Sequence, residues 1–119
     1  MKNRIIICVF VFSGNAALAQ HQPDGQQLFK QRCSVCHSIA PSKSGMGPSL
    51  AGVFGRQAAS APGFNYSPAI KATNITWDTA TLDKFLSAPR KAVPGSRMLV
   101  SMPDEKQRSA VIAYLKTLR

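Results

Sequence analysis

Cys33-Ser34-Val35-Cys36-His37 is the stretch from which the rest of this chain is read. Its form, Cys-x-x-Cys-His, is the attachment signature for a c-type haem. Two thiols one helical turn apart can each add to a vinyl group on one edge of a haem. The histidine that follows then stands below the ring, where its imidazole can serve as proximal iron ligand. The shorter Cys-x-x-Cys is shared with thiol redox motifs and with half of a zinc site. Zinc takes about four ligands, yet no second cysteine pair follows and the only other histidine is His21. A thiol oxidoreductase needs a βαβ setting, and no convincing strand pattern precedes Cys33.

The chain has 119 residues, the length of one small domain. Lys2 and Arg4 followed by the apolar run Ile5 to Phe12 and by Ala17-Leu18-Ala19 form the pattern of a cleaved secretory signal. Residues 1–19 are therefore expected to be a signal peptide and residues 20–119 the functional domain. The apolar run is short for a bilayer span, which takes about twenty residues, and Ser13, Gly14 and Asn15 interrupt it. Cys8 falls within this leader, leaving Cys33 and Cys36 as the cysteines of the mature chain, too few and too close for a disulfide scaffold. Export to the periplasm, with no membrane anchor after cleavage, is the expected location. About one hundred residues make a modest core, and a large apolar group would add buried surface to it.

The formal net charge is +10; without Lys2 and Arg4 it is +8. Such a balance favours acidic partners. The basic residues are scattered, which speaks against nucleic acid as a partner.

Four helical stretches follow from caps and periodicity. Asp24 caps a helix expected from Gly25 to about Val35, with Gly25 marking a close backbone approach. Ser67-Pro68 opens a short helix to about Ala72. Asp78 caps a helix from Thr79 to about Ala88, stopped by Pro89. Pro103 opens the last helix, with Asp104 and Glu105 in its first turn. Arg90 to Met102 reads as extended or looped, with a turn at Pro94-Gly95. Pro41 to Pro48 is a loop whose carbonyls could accept the second N–H of His37. A buried Arg56 could pair with a haem propionate. The fold class is all-α: three main helices plus short helices and loops around one cofactor.

Residues 24–119 resemble class I cytochromes c of the mitochondrial and alphaproteobacterial type. The resemblance rests on Cys33-x-x-Cys36-His37, Gly47-Pro48-Ser49-Leu50-x-Gly52-x-Phe54-Gly55-Arg56 and Ala61-Pro62-Gly63-Phe64-x-Tyr66-Ser67. It continues in Ile75-Thr76-Trp77, Leu86-x-x-Pro89, Pro94-Gly95-x-x-Met98 and Ala113-Tyr114-Leu115, all in the family's order. It implies a single haem c bound through two thioethers to Cys33 and Cys36, with His37 and Met98 as axial ligands. It further implies that Pro48 holds His37, that Arg56, Tyr66 and Trp77 surround the propionates, and that Phe85 lines the distal side. Gly25 and Phe29 would pack on Val111 and Tyr114. Met102 rivals Met98 as the ligand, and Met46 lies too close to His37 for that role.

The function implied is a monomeric electron carrier, not an enzyme, with transient contacts to acidic-patch redox proteins or membrane redox complexes. In the family these include quinol-oxidising complexes, terminal oxidases and photosynthetic reaction centres. Arg32, Arg90, Lys91 and Arg97 would form the docking rim, with Lys43, Lys106 and Arg108 as further candidates. Val100 and Ile70 depart from the family pattern, where an aromatic and a polar residue are usual. Those departures keep open a haem protein with an open distal site, acting as a peroxidase or gas binder. A dedicated electron-transfer subunit of a periplasmic dehydrogenase is the other alternative.

Overall fold

The computed structural model describes residues 22–119; the expected signal peptide lies outside the described residues. The architecture is all-α. Among the described residues five helices follow in order: α1 (Gly25–Arg32), α2 (Pro68–Lys71), α3 (Thr79–Ser87), α4 (Pro89–Ala92) and α5 (Glu105–Leu115). The long ones, α1, α3 and α5, form the frame, and α2 and α4 are single turns in the connections. Among the described residues no helix is long and apolar enough to cross a membrane.

Each helix start has a local cause. The Asp24 carboxylate accepts from the backbone N–H groups of Gln26 and Gln27. Ser67 accepts from Ile70, with Pro68 at the first helical position. Asp78 and Thr81 form a reciprocal capping box. These side chains satisfy amides that a helix end leaves without partners.

Three boundaries differ from the sequence reading. Helix α1 ends at Arg32, not near Val35. Both Cys33 N–H and Ser34 N–H turn back to Phe29 O, and the Ser34 hydroxyl takes Lys30 O at 2.6 Å, a side-chain competitor of the helical ladder. Pro89 stops α3 but also opens α4, because proline suits the first position of a helix and bars helical conformation in Ala88 before it. The last helix begins at Glu105, with Asp104 as its cap instead of a first-turn residue; Asp104 Oδ1 accepts from Gln107 N–H at 2.8 Å.

Helices α1 and α5 cross at Gly25. Any Cβ there would run into the carbonyl of Ala110 and press on Tyr114, so the expected close approach is present, with the Ala110 backbone as its nearest point. Phe29 stacks at a tilt on Tyr114, 5.3 Å between ring centres. Val111, Ile112 and Leu115 of α5 meet Phe29, Leu82 and Phe85 in one core, joined by Val53, Ile70, Trp77, Val93 and Met102. Between α1 and α2 the chain is irregular, yet it is not loose. Residues 55–58 pair with 75–77: Gly55 N–H donates to Trp77 O, Trp77 N–H to Arg56 O and Ala58 N–H to Ile75 O, at 2.7–2.9 Å.

Candidate functional site

The Cys33–His37 stretch is a tight turn at the end of α1. Cys36 N–H and His37 N–H both donate to Cys33 O, at 3.1 and 2.9 Å. Both cysteines are half-buried, and no disulfide joins them. Burial pushes the Cys33 thiol above its ordinary pKa, and the Arg32 cation pulls it part of the way back. The turn thus carries two thiols and an imidazole within five residues.

The loop after it folds back to hold the imidazole. Gly47 N–H donates to Cys36 O at 2.9 Å, Leu50 N–H to Ser38 O at 2.8 Å, and the Ser49 hydroxyl to Ala40 O at 2.7 Å. These contacts set Pro48 O 2.8 Å from His37 Nδ1. A carbonyl only accepts, so Nδ1 carries the proton and Nε2 is left as the basic nitrogen. Burial lowers the His37 pKa, and the Pro48 contact opposes that shift. Gly47 lies against the ring: a Cβ there would stand 2.7 Å from Nδ1 and 2.9 Å from Nε2.

Arg56 is half-buried in the next turn. Its Nη1 donates to Ala51 O at 2.7 Å and its Nη2 to Ser49 O at 2.9 Å, so two of its nitrogens brace the loop. Its Nε is buried with no partner, a donor in need of an acceptor. Trp77 is buried beside it, its N–H on Arg56 O, with Phe85 5.1 Å away ring to ring. Tyr66 packs against the core; its oxygen accepts from Ala61 N–H at 3.1 Å, and Phe64 meets its ring edge-on. The fold therefore joins Arg56, Trp77 and Phe85 directly, while Tyr66 is tied to its own loop.

The two candidate sulfurs differ. Met102 is 3 % exposed and belongs to the core, its N–H on Leu86 O at 2.8 Å. Met98 is half-buried and only packs against the edge of that core. Met46 is 74 % exposed.

Arg90 and Lys91 stand exposed on α4. Arg32 and Arg97 are exposed too, but each holds a backbone carbonyl, Ser101 O and Asn65 O respectively, both at 3.2 Å. Arg108 is a correction: it is buried, not part of a docking rim. Its Nε donates to Asp83 Oδ1 at 2.7 Å and its Nη1 to Met102 O and Pro103 O. Asp83 and Arg108 are 25 positions apart on different helices, and no local pattern in the sequence marks such a pair. Gly47 was legible as a loop residue and as the start of the Gly47-Pro48-Ser49-Leu50 motif, but not for its place against the imidazole.

The donor set fits a covalently held haem. Two thiols share one turn with an imidazole whose Nε2 is unprotonated, and a buried guanidinium nitrogen awaits an acceptor of the propionate kind. Among the described residues no three His, Cys, Asp or Glu side chains gather as a metal site.

Comparison with known proteins gives the same direction. The family model described as Cytochrome c matches residues 23–119. Cytochrome c2 of Rhodomicrobium vannielii is 43 % identical, with 98 % of this chain and 94 % of the relative covered. Cytochrome c of Euglena viridis is 42 % identical over 80 % of this chain and 94 % of its own. Among solved structures, cytochrome cH from Methylobacterium extorquens superposes with a TM-score of 0.73 at 39 % identity, covering 80 % of this chain and 99 % of that one.

Proposed function

The chain belongs to the cytochrome c family as a class I monohaem electron carrier with one covalently attached haem c, and from that premise we propose that it is a periplasmic shuttle between transient redox partners. Haem c supplies one reversible electron through its ferric–ferrous couple. What this chain adds is attachment, ligation and docking.

Cys33 and Cys36 would hold the cofactor through two thioethers, and His37 and Met98 would be its axial ligands. The observation that carries the reading is the 2.8 Å contact from His37 Nδ1 to Pro48 O. It fixes the tautomer, aims Nε2 away from the loop and raises the basicity of the ring, as an outer partner does for a metal-bound histidine. Its burial keeps the imidazole neutral, which is the ligating form. A thioether from Met98 on the other side would favour the ferrous state and raise the potential. Arg56 Nε, buried without a partner, would serve a propionate, with Trp77 beside it and Phe85 against the Trp77 ring; Tyr66 would reach the same group from its own loop.

Arg90 and Lys91, exposed together on α4, are the strongest docking candidates; Arg32 and Arg97 contribute charge although their tips hold carbonyls. Excess positive charge speeds encounter with an acidic partner and lets it dissociate quickly. The amino-terminal leader pattern and the likeness to cytochrome c2 support export.

The test is stopped-flow reduction and oxidation of the haem-loaded protein by an acidic redox partner. Rapid single-electron exchange without turnover of peroxide supports the shuttle. Peroxide turnover that competes with electron exchange would overturn it.

A further inference from the structure

The segment that carries Met98 is held at both ends and little between. At its start Ser96 N–H donates to Val93 O at 2.9 Å, and Met98 N–H reaches the Ser96 hydroxyl at 3.4 Å. Leu99 and Val100 are 74 % and 44 % exposed. The next firm point is Met102, whose N–H is on Leu86 O. There the Arg108 guanidinium takes two successive carbonyls with one nitrogen, Met102 O at 3.1 Å and Pro103 O at 2.7 Å. Among the described residues it is the only donor to either. Asp83 of α3 fixes the plane of that guanidinium through Nε. One buried side chain of α5 thereby binds α3 and the end of the Met98 segment into a unit.

We propose that Arg108 is a positioning residue for Met98: it latches the distal segment so that the Met98 sulfur stays at the site. This rests on the reading of Met98 as a ligand. The physical ground is a difference in solvent. The Arg108 side chain is 11 % exposed and its bond to Met102 O is buried, so breaking that bond leaves a buried carbonyl without its partner; the Asp83 carboxylate, 44 % exposed, orients the guanidinium and can return to water. Arg32 also touches the segment, at Ser101 O, but that contact is exposed and therefore weak. Lysine cannot replace Arg108 fully, because an ammonium lacks the planar fork that serves Asp83 and the carbonyls at once.

The segment must open before an added ligand can displace the Met98 sulfur, so imidazole affinity of the ferric protein reads the open fraction. Met98→Ala is measured first. If it leaves the imidazole affinity unchanged, the ligand reading fails, and with it the premise of the latch. If it raises the affinity, the latch is tested by Arg108→Lys, Asp83→Asn, Arg32→Gln and Phe29→Leu. The latch predicts a rise of roughly tenfold or more for Arg108→Lys, a smaller rise for Asp83→Asn and almost none for Arg32→Gln. Phe29→Leu, which weakens the α1–α5 contact, controls for lost global stability. An equal rise in Phe29→Leu at matched denaturant midpoint overturns the latch, as does no rise in Arg108→Lys. Should Arg108→Lys not fold, Asp83→Asn alone decides by the same comparison.

Discussion

The carbonyl oxygen of Pro48 accepts from Nδ1 of His37 at 2.8 Å, eleven residues along the chain. The contact works because Gly47 lets the backbone pass flat against the imidazole. Gly47→Ala should therefore push the ring or the loop aside. The expected loss is about 1–3 kcal/mol of unfolding free energy, read from denaturant melts of the haem-loaded protein. A Soret shift should accompany it as the axial imidazole reorients. An unperturbed spectrum and midpoint would show that the loop yields without moving the ring.

Gly25 has a comparable role in the frame. An added methyl meets the Ala110 carbonyl, a backbone atom that cannot step aside. Gly25→Ala should cost at least about 1–3 kcal/mol, outweighing the better helix propensity of alanine, which is about 1 kcal/mol. Gln26→Ala, at an exposed neighbour, should leave the midpoint nearly unchanged.

Asp78 gives the fold a pH dependence. Hydrogen bonds from Thr81 hold its carboxyl below the ordinary aspartate value of 3.8. A depressed folded pKa means that the contribution is fully present above that ordinary value. It is lost as pH falls through the lower folded one. Asp78→Asn keeps an acceptor at the cap but does not titrate. The Tm advantage of the native chain over Asp78→Asn should thus shrink as the pH is lowered from about 5 towards 2. A constant difference would mean that the cap carries no charge-dependent part.

The docking reading predicts a steep salt dependence. The rate of electron exchange with an acidic partner should fall as ionic strength rises. Arg90→Gln with Lys91→Gln should flatten that dependence more than Arg32→Gln, since the Arg32 tip already holds Ser101 O. A rate independent of salt would rule out an electrostatic rim.

What the sequence disclosed was what is local. The caps at Asp24, Ser67 and Asp78 lie next to the amides they satisfy, and the turn at Pro94-Gly95 is announced by its own residues. The Cys-x-x-Cys-His turn is local too, and so is the cofactor it implies. Two of the three misread boundaries involve a rival bond; the third, at α4, follows from Pro89 opening a new turn. The Ser34 hydroxyl ends α1 early, and the Asp104 side chain moves the start of α5 past Pro103. Arg108 was misplaced on the surface because its partners, Asp83, Met102 O and Pro103 O, meet it only after α3 and α5 have packed. The residues alone suggested a loop carbonyl for His37 and a buried Arg56; resemblance to a family singled out Pro48 and added Trp77, which nothing in spacing joins to the rest.

The most direct test of the central claim is the spectrum of the purified ferric protein, scanned into the far red. A low-spin spectrum with the weak sulfur-to-iron band, lost in Met98→Ala and kept in Met102→Leu, is the predicted result. A high-spin spectrum without that band in the native protein would contradict the account, leaving an iron open to added ligands in place of an electron carrier closed by Met98.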